Sequence, residues 1–78
     1  MISISSVWFD RGLILVQLNN ETVIGTPIAW YPNLRKGTYE QWQKYRLGHD
    51  AQSLHWEELD EDLSLEGFLS DVNSKPGK

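Results

Sequence analysis

Two apolar runs on either side of Asp10-Arg11-Gly12 set the first limit on what this chain can become. From Ile2 to Phe9 apolar residues first alternate with serines (Ile2, Ile4) and then run together (Val7, Trp8, Phe9), a strand pattern with one buried face. Leu13 to Leu18 is apolar everywhere except Gln17, which asks for cover on both faces and predicts a central strand. Asp10-Arg11-Gly12 supplies the turn chemistry of a hairpin, with glycine where a positive φ is needed. Asn19-Asn20-Glu21 is a second turn signal, and Thr22 to Ile28 resumes strand character. Pro27 cannot donate to a ladder, so this third strand lies at an edge or carries a bulge. The reading is an antiparallel three-strand meander from Ile2 to Trp30.

Beyond Trp30 the pattern changes. Ala29 to Leu34 leaves the sheet through an aromatic pair and a proline, and Asn33 to Gly37 reads as a loop or one helical turn. Thr38 followed by Gln41 is a capping box, and Tyr39, Trp42 and Tyr45 share one face of a helix predicted from Tyr39 to Arg46. Gly48 can end it, after which His49 to Gln52 turns the chain into an extended segment around Leu54 to Glu57, within Ser53 to Glu57. Ser64 is an N-cap for a final helical turn from Ser64 to Leu69. The fold class is therefore α+β, with residues 1–70 forming a single domain and 71–78 a flexible tail.

At 78 residues the domain removes only roughly 60 to 65% of its unfolded surface from water, so a partner would add stability. Four tryptophans, three tyrosines and two phenylalanines compensate in part, each ring burying about 150 to 250 Å². With no cysteine there is no disulfide, thiolate metal site or cysteine nucleophile. A formal net charge of -4 repels a phosphate backbone and favours a basic protein partner. No apolar run reaches the length of a membrane span, and no signal-peptide pattern opens the chain, so the expected location is the cytoplasm.

The candidate chemistry lies mostly between His49 and Glu66. Asp60, Glu61, Asp62, Ser64 and Glu66 have some character of a calcium loop, but Leu65 and Asp71 stand where such a loop needs glycine and a bidentate glutamate. Turn-forming hydrogen bonds from Asp60 and Asp62 to backbone N–H groups are the simpler expectation. His49, Asp50 and His55 invite a reading as a metal triad or a base with its orienting carboxylate, yet the sequence offers no obvious nucleophile or oxyanion donor beside them. The rings Trp30, Tyr31, Tyr39, Trp42, Tyr45 and Trp56 would form a base-stacking platform only with a basic groove, and Arg35, Lys36, Lys44 and Arg46 are the cations at hand.

Taken together, Asp10-Arg11-Gly12, Tyr31-Pro32-x-Leu34, Tyr45-Arg46-Leu47, Trp56-x-x-Leu59-Asp60-Glu61-Asp62-Leu63-Ser64 and Gly67-Phe68-Leu69 resemble a small bacterial family filed as domain of unknown function 2442. The resemblance implies a compact α+β domain without established catalysis. It also implies a frequent place beside a second small protein, in arrangements like toxin-antitoxin pairs. Some members carry a helical DNA-binding segment after this domain; none follows Leu69 here, so DNA binding by this chain alone is not expected.

The expected function is a non-catalytic protein-interaction module, the antitoxin-like or accessory member of a bacterial pair, with no cofactor and no metal. Trp30, Tyr31 and Trp56 would give apolar contacts, and Glu57, Glu58, Asp60, Glu61 and Asp62 would steer a small basic, toxin-like partner. A homodimer burying the apolar surplus, a nucleic-acid-associated regulator acting through a partner, and a small metal-dependent enzyme are the alternatives.

Overall fold

The structure, a computed structural model, describes residues 1–74. Strands β1 (Ile4–Asp10), β2 (Leu13–Leu18) and β3 (Val23–Pro27) form an antiparallel meander with β2 in the centre, as the apolar pattern predicts. Asp10 pairs with Leu13, and the two residues between them both adopt positive φ, Arg11 at 53° and Gly12 at 80°. That is the tight hairpin whose twist matches its strands. The second connection is a turn from Leu18, where Glu21 N–H donates to the Leu18 carbonyl at 2.9 Å and Glu21 itself takes φ 73°.

A bulge at Ser5 decides which side chains enter the core. The register jumps from Ile4↔Leu18 to Ser6↔Gln17, leaving Ser5 unpaired, so Ile4 joins Val7 and Phe9 on the inner face despite the odd spacing. Ile14, Val16, Leu18, Ile24 and Thr26 complete that face, and all five are buried. The expectation that both faces of β2 are covered holds for only one of them. Leu13 is exposed and Leu15 half-buried, because no helix among the described residues crosses the outer face.

After β3 a single turn of 3-10 helix (Ile28–Trp30) leads into helix α1 (Pro32–Arg35), with Pro32 at its first turn. Helix α2 (Tyr39–Trp42) starts at the predicted capping box: Gln41 N–H donates to Thr38 Oγ1 at 3.2 Å, and Thr38 N–H donates to Gln41 Oε1 at 2.9 Å. It then stops, four residues short of the predicted Arg46. The Trp42 carbonyl, which the next helical turn would need, accepts the Trp56 indole N–H at 2.9 Å. Arg46 instead belongs to a two-residue strand, β4 (Arg46–Leu47).

This strand opens a second antiparallel sheet, in the order β4, β5 (Ser53–Trp56), β6 (Glu61–Ser64). The extended segment at Leu54 was anticipated; β6 was not, because Leu63 is its one apolar residue. Helix α3 (Leu65–Ser74) follows directly, with Ser64 Oγ accepting the Gly67 N–H at 2.9 Å as an N-cap. It runs past the predicted stop at Leu69, so the tail expected at 71–78 is helical through Ser74, and residues 75–78 lie outside the described part. One core joins the inner face of the first sheet to Tyr31, Leu34, Leu54, Trp56, Leu65 and Phe68. The architecture is a mixed α+β fold of two small three-strand sheets with short helices, flattened to 32 × 31 × 18 Å.

Candidate functional site

Two of the three aromatic residues expected to meet a partner are committed to the core. Tyr31 is 6% exposed and lies edge-on to Phe68, with ring centroids 6.0 Å apart. Its hydroxyl donates to Asp71 Oδ2 at 3.2 Å and sits 3.0 Å from Thr26 Oγ1. The Asp71 carboxylate can only accept, so the Tyr31 proton points to it and the Thr26 hydroxyl donates to Tyr31. Burial, ahead of the nearby Asp71 charge, pushes the Tyr31 phenol up to about 12. Trp56 is 2% exposed, packed on Tyr45 and bonded to the Trp42 carbonyl. A partner cannot reach either ring without opening the domain. Trp30 is half-buried against the core.

The predicted acidic residues do come together, at the β5–β6 hairpin, where Trp56 pairs with Glu61 and the loop Glu57 to Asp60 closes with Asp60 at φ 54°. Two of them face cations: Glu58 lies 3.5 Å from Lys44 Nζ, and Glu57 lies 3.9 Å from Arg46 Nη2. The basic strip weighed as a nucleic-acid groove is partly neutralised by these contacts. Glu61 is half-buried on the inner side, and desolvation holds its carboxyl above the usual range, offset in part by a hydrogen bond from Asn33 and reinforced by Asp62 and Asp60. Asp62 points to the other side of the sheet, onto His55. Alternate direction along β6 therefore separates the carboxylates that resembled a calcium loop, and no group of three or more His, Asp or Glu residues among the described residues has metal-holding geometry. Among the described residues neither the Asp60 nor the Asp62 carboxylate forms the turn bond expected of it; the Asp60 N–H closes the loop onto the Glu57 carbonyl at 3.3 Å, and the Asp60 carbonyl accepts from Asn33 Nδ2 of α1 at 3.0 Å.

Two features escaped the sequence. On the outer face of the first sheet, Trp8 stands opposite Leu15, and Leu15 opposite Gly25, with Leu13 and Val23 in the adjoining rows. Trp8 is 39% exposed and Val23 47%. Leu15 leans over Gly25, where a Cβ would lie 3.2 Å from its Cδ2, so this face is an apolar floor with an indole at one side. The signal was Trp8 within Val7-Trp8-Phe9, but three consecutive apolar residues do not say which one faces out.

The second feature is polar. On the outer face of the second sheet, Ser53 Oγ lies 3.0 Å from His55 Nε2, and His55 Nδ1 lies 2.7 Å from Asp62 Oδ1. His49, by contrast, lies 3.2 Å from its neighbour Asp50 and is almost fully exposed, so the two histidines do not form one site.

Among the described residues no helix is long and apolar enough to cross a membrane. A comparison with functionally curated proteins finds no match. Among solved structures, the fold is similar to that of a crystallised protein of unknown function from Rhodospirillum rubrum ATCC 11170, at 26% identity and a TM-score of 0.77, covering 90% of this chain and 87% of that one. The stretches that carried the resemblance have clear structural duties: Tyr31 and Leu34 fill the core, Trp56 to Ser64 makes the second hairpin, and Gly67-Phe68 opens α3. With its family model matching residues 4–73, the chain belongs to the family described as protein of unknown function (DUF2442).

Proposed function

We propose that this domain is a protein-interaction module, the antitoxin-like or accessory member of a bacterial protein pair. The observation that carries the reading is the open outer face of the first sheet, where Trp8, Leu13, Leu15 and Val23 lie on one side with no helix or strand among the described residues across them. Tryptophan in such a position is the residue type that concentrates binding energy. The acidic hairpin at Glu57 to Asp62 supplies the second requirement, a field that attracts a small basic partner and fixes its orientation. Trp8 and Val23 thus take the anchoring role expected of Tyr31 and Trp56, while Glu58, Asp60 and Asp62 keep the steering role.

The test is capture of partners from the native host lysate by the tagged chain, wild type against Trp8→Ser and against Glu58→Lys/Asp60→Lys, with and without nuclease. The expected result is a small basic protein held by the wild type under both conditions, lost in Trp8→Ser and weakened at low salt in the charge variant. Equal retention by all three chains overturns the reading, and retention that disappears only after nuclease replaces it with indirect nucleic-acid association.

A further inference from the structure

Ser53, His55 and Asp62 form a relay whose hydrogens can be assigned from chemistry alone. The Asp62 carboxylate is an acceptor, so the Nδ1 nitrogen 2.7 Å away carries the proton. In the neutral ring Nε2 is then the bare nitrogen, and the Ser53 hydroxyl, 3.0 Å away, donates to it. Strand geometry builds this arrangement. Ser53 and His55 are two apart on β5 and share its outer face, and Asp62 is the direct register partner of His55 on β6.

Gly48 shows that room is kept for the pair. A Cβ there would lie 2.0 Å from Ser53 Oγ and 2.7 Å from His55 Nε2. Its backbone, at φ -81°, does not call for glycine; the space above it does. His55 is reachable, its side chain 37% exposed, and Ser53 is half-buried at the sheet surface. On the opposite flank Arg46 pairs with His55 and brings a guanidinium to the same face.

We propose that Ser53 is an activated nucleophile for small acyl esters, with His55 as its general base and Asp62 as the residue that positions the ring. In the first step Ser53 Oγ bonds to the ester carbonyl carbon while its proton passes to His55 Nε2. Collapse breaks the bond to the leaving oxygen, which takes that proton as it departs as alcohol. Water then attacks the acyl-serine carbonyl with His55 accepting its proton, and as the Oγ–carbonyl bond breaks His55 returns that proton to Ser53 Oγ, releasing the carboxylic acid and free Ser53. Arg46, the register partner of His55, is the cation this face offers to the developing oxyanion, and its exposed guanidinium, 3.9 Å from Glu57, would have to be shared with that carboxylate. Asp62 is 78% exposed, so its support of the imidazolium is screened and the acceleration is well below that of a buried triad.

The experiment is reaction of the full chain with p-nitrophenyl acetate, following nitrophenolate release and locating the acetyl group by peptide mass spectrometry. Acetyl on Ser53 is expected to form at least about tenfold faster than on exposed Ser5, with release slowed by a similar factor in Ser53→Ala and in His55→Gln. Asp62→Asn should lower the rate and Asp62→Glu restore part of it, with thermal melts showing that each variant is folded. Acetyl spread evenly over Ser5 and Ser53 overturns the proposal. So does a rate kept in Ser53→Ala but lost in His55→Gln, which would make the imidazole itself the nucleophile. Should His55→Gln fail to fold, Ser53→Ala together with the site of acetylation decides alone.

Discussion

Tyr31 offers a sharp test of how this small core is held. Its hydroxyl links Thr26, at 1% exposure, to Asp71 on α3, so Tyr31→Phe keeps the ring and its contact with Phe68 but leaves a buried threonine hydroxyl without its acceptor. An orphaned buried polar group costs about 1 to 3 kcal/mol, which for a domain of this size lowers Tm by roughly 4 to 8 °C per kcal/mol. Thr26→Val removes the orphan together with its donor, so the double variant should be less destabilised than the two singles summed, by at least about 0.5 kcal/mol. Urea unfolding followed by circular dichroism measures all four corners of the cycle.

An alkaline arm tests the same contact independently. The folded phenol ionises near 12 while the unfolded one ionises near its ordinary value of 10. Below both values the phenol is neutral in both states, and its full contribution is present. Between them only the unfolded state has lost its proton, so stability falls as pH rises, by about 3 kcal/mol at roughly 1.4 kcal/mol per unit. Tyr31→Phe lacks this drop, which isolates it from the titration of lysines. Additive single variants, or parallel alkaline losses in wild type and Tyr31→Phe, would refute the relay.

Trp56→Ala removes a fully buried indole and the bond that ends α2, so a loss of about 3 to 5 kcal/mol is expected, visible as collapse of the near-ultraviolet circular dichroism. Gly48→Ala should cost about 1 to 3 kcal/mol from overpacking against Ser53 and His55, and Ser53→Ala in the same chain should recover part of it in a thermal melt. Thr38→Ala removes the Oγ1 that accepts the Gln41 N–H, while the backbone N–H of residue 38 still donates to Gln41 Oε1, and should lower stability by about 1 kcal/mol in urea, an effect absent from Thr22→Ala, whose side chain is exposed.

Local chemistry alone accounts for several parts of this fold. The first hairpin needs two consecutive positive-φ residues, and Arg11-Gly12 provides them; the start of α2 needs Thr38 and Gln41 three apart; the start of α3 needs Ser64. The clustering of acidic residues is equally plain, because Glu57 to Asp62 are neighbours along the chain, although the hairpin that carries them is not. Other parts turn on competitions between groups far apart in the chain, which are resolved only on folding. The end of α2 depends on which donor reaches the Trp42 carbonyl, and Trp56, fourteen residues away, supplies it. The inward turn of Ile4 depends on the bulge at Ser5, and the exposure of Trp8 on the outer face of β2 being left open by every described element. Pairing of β6 with β5 is the clearest case. It sets Asp62 against His55 and turns three ordinary polar residues into a relay, because a carboxylate and an imidazole seven residues apart acquire a shared geometry only when a register is chosen.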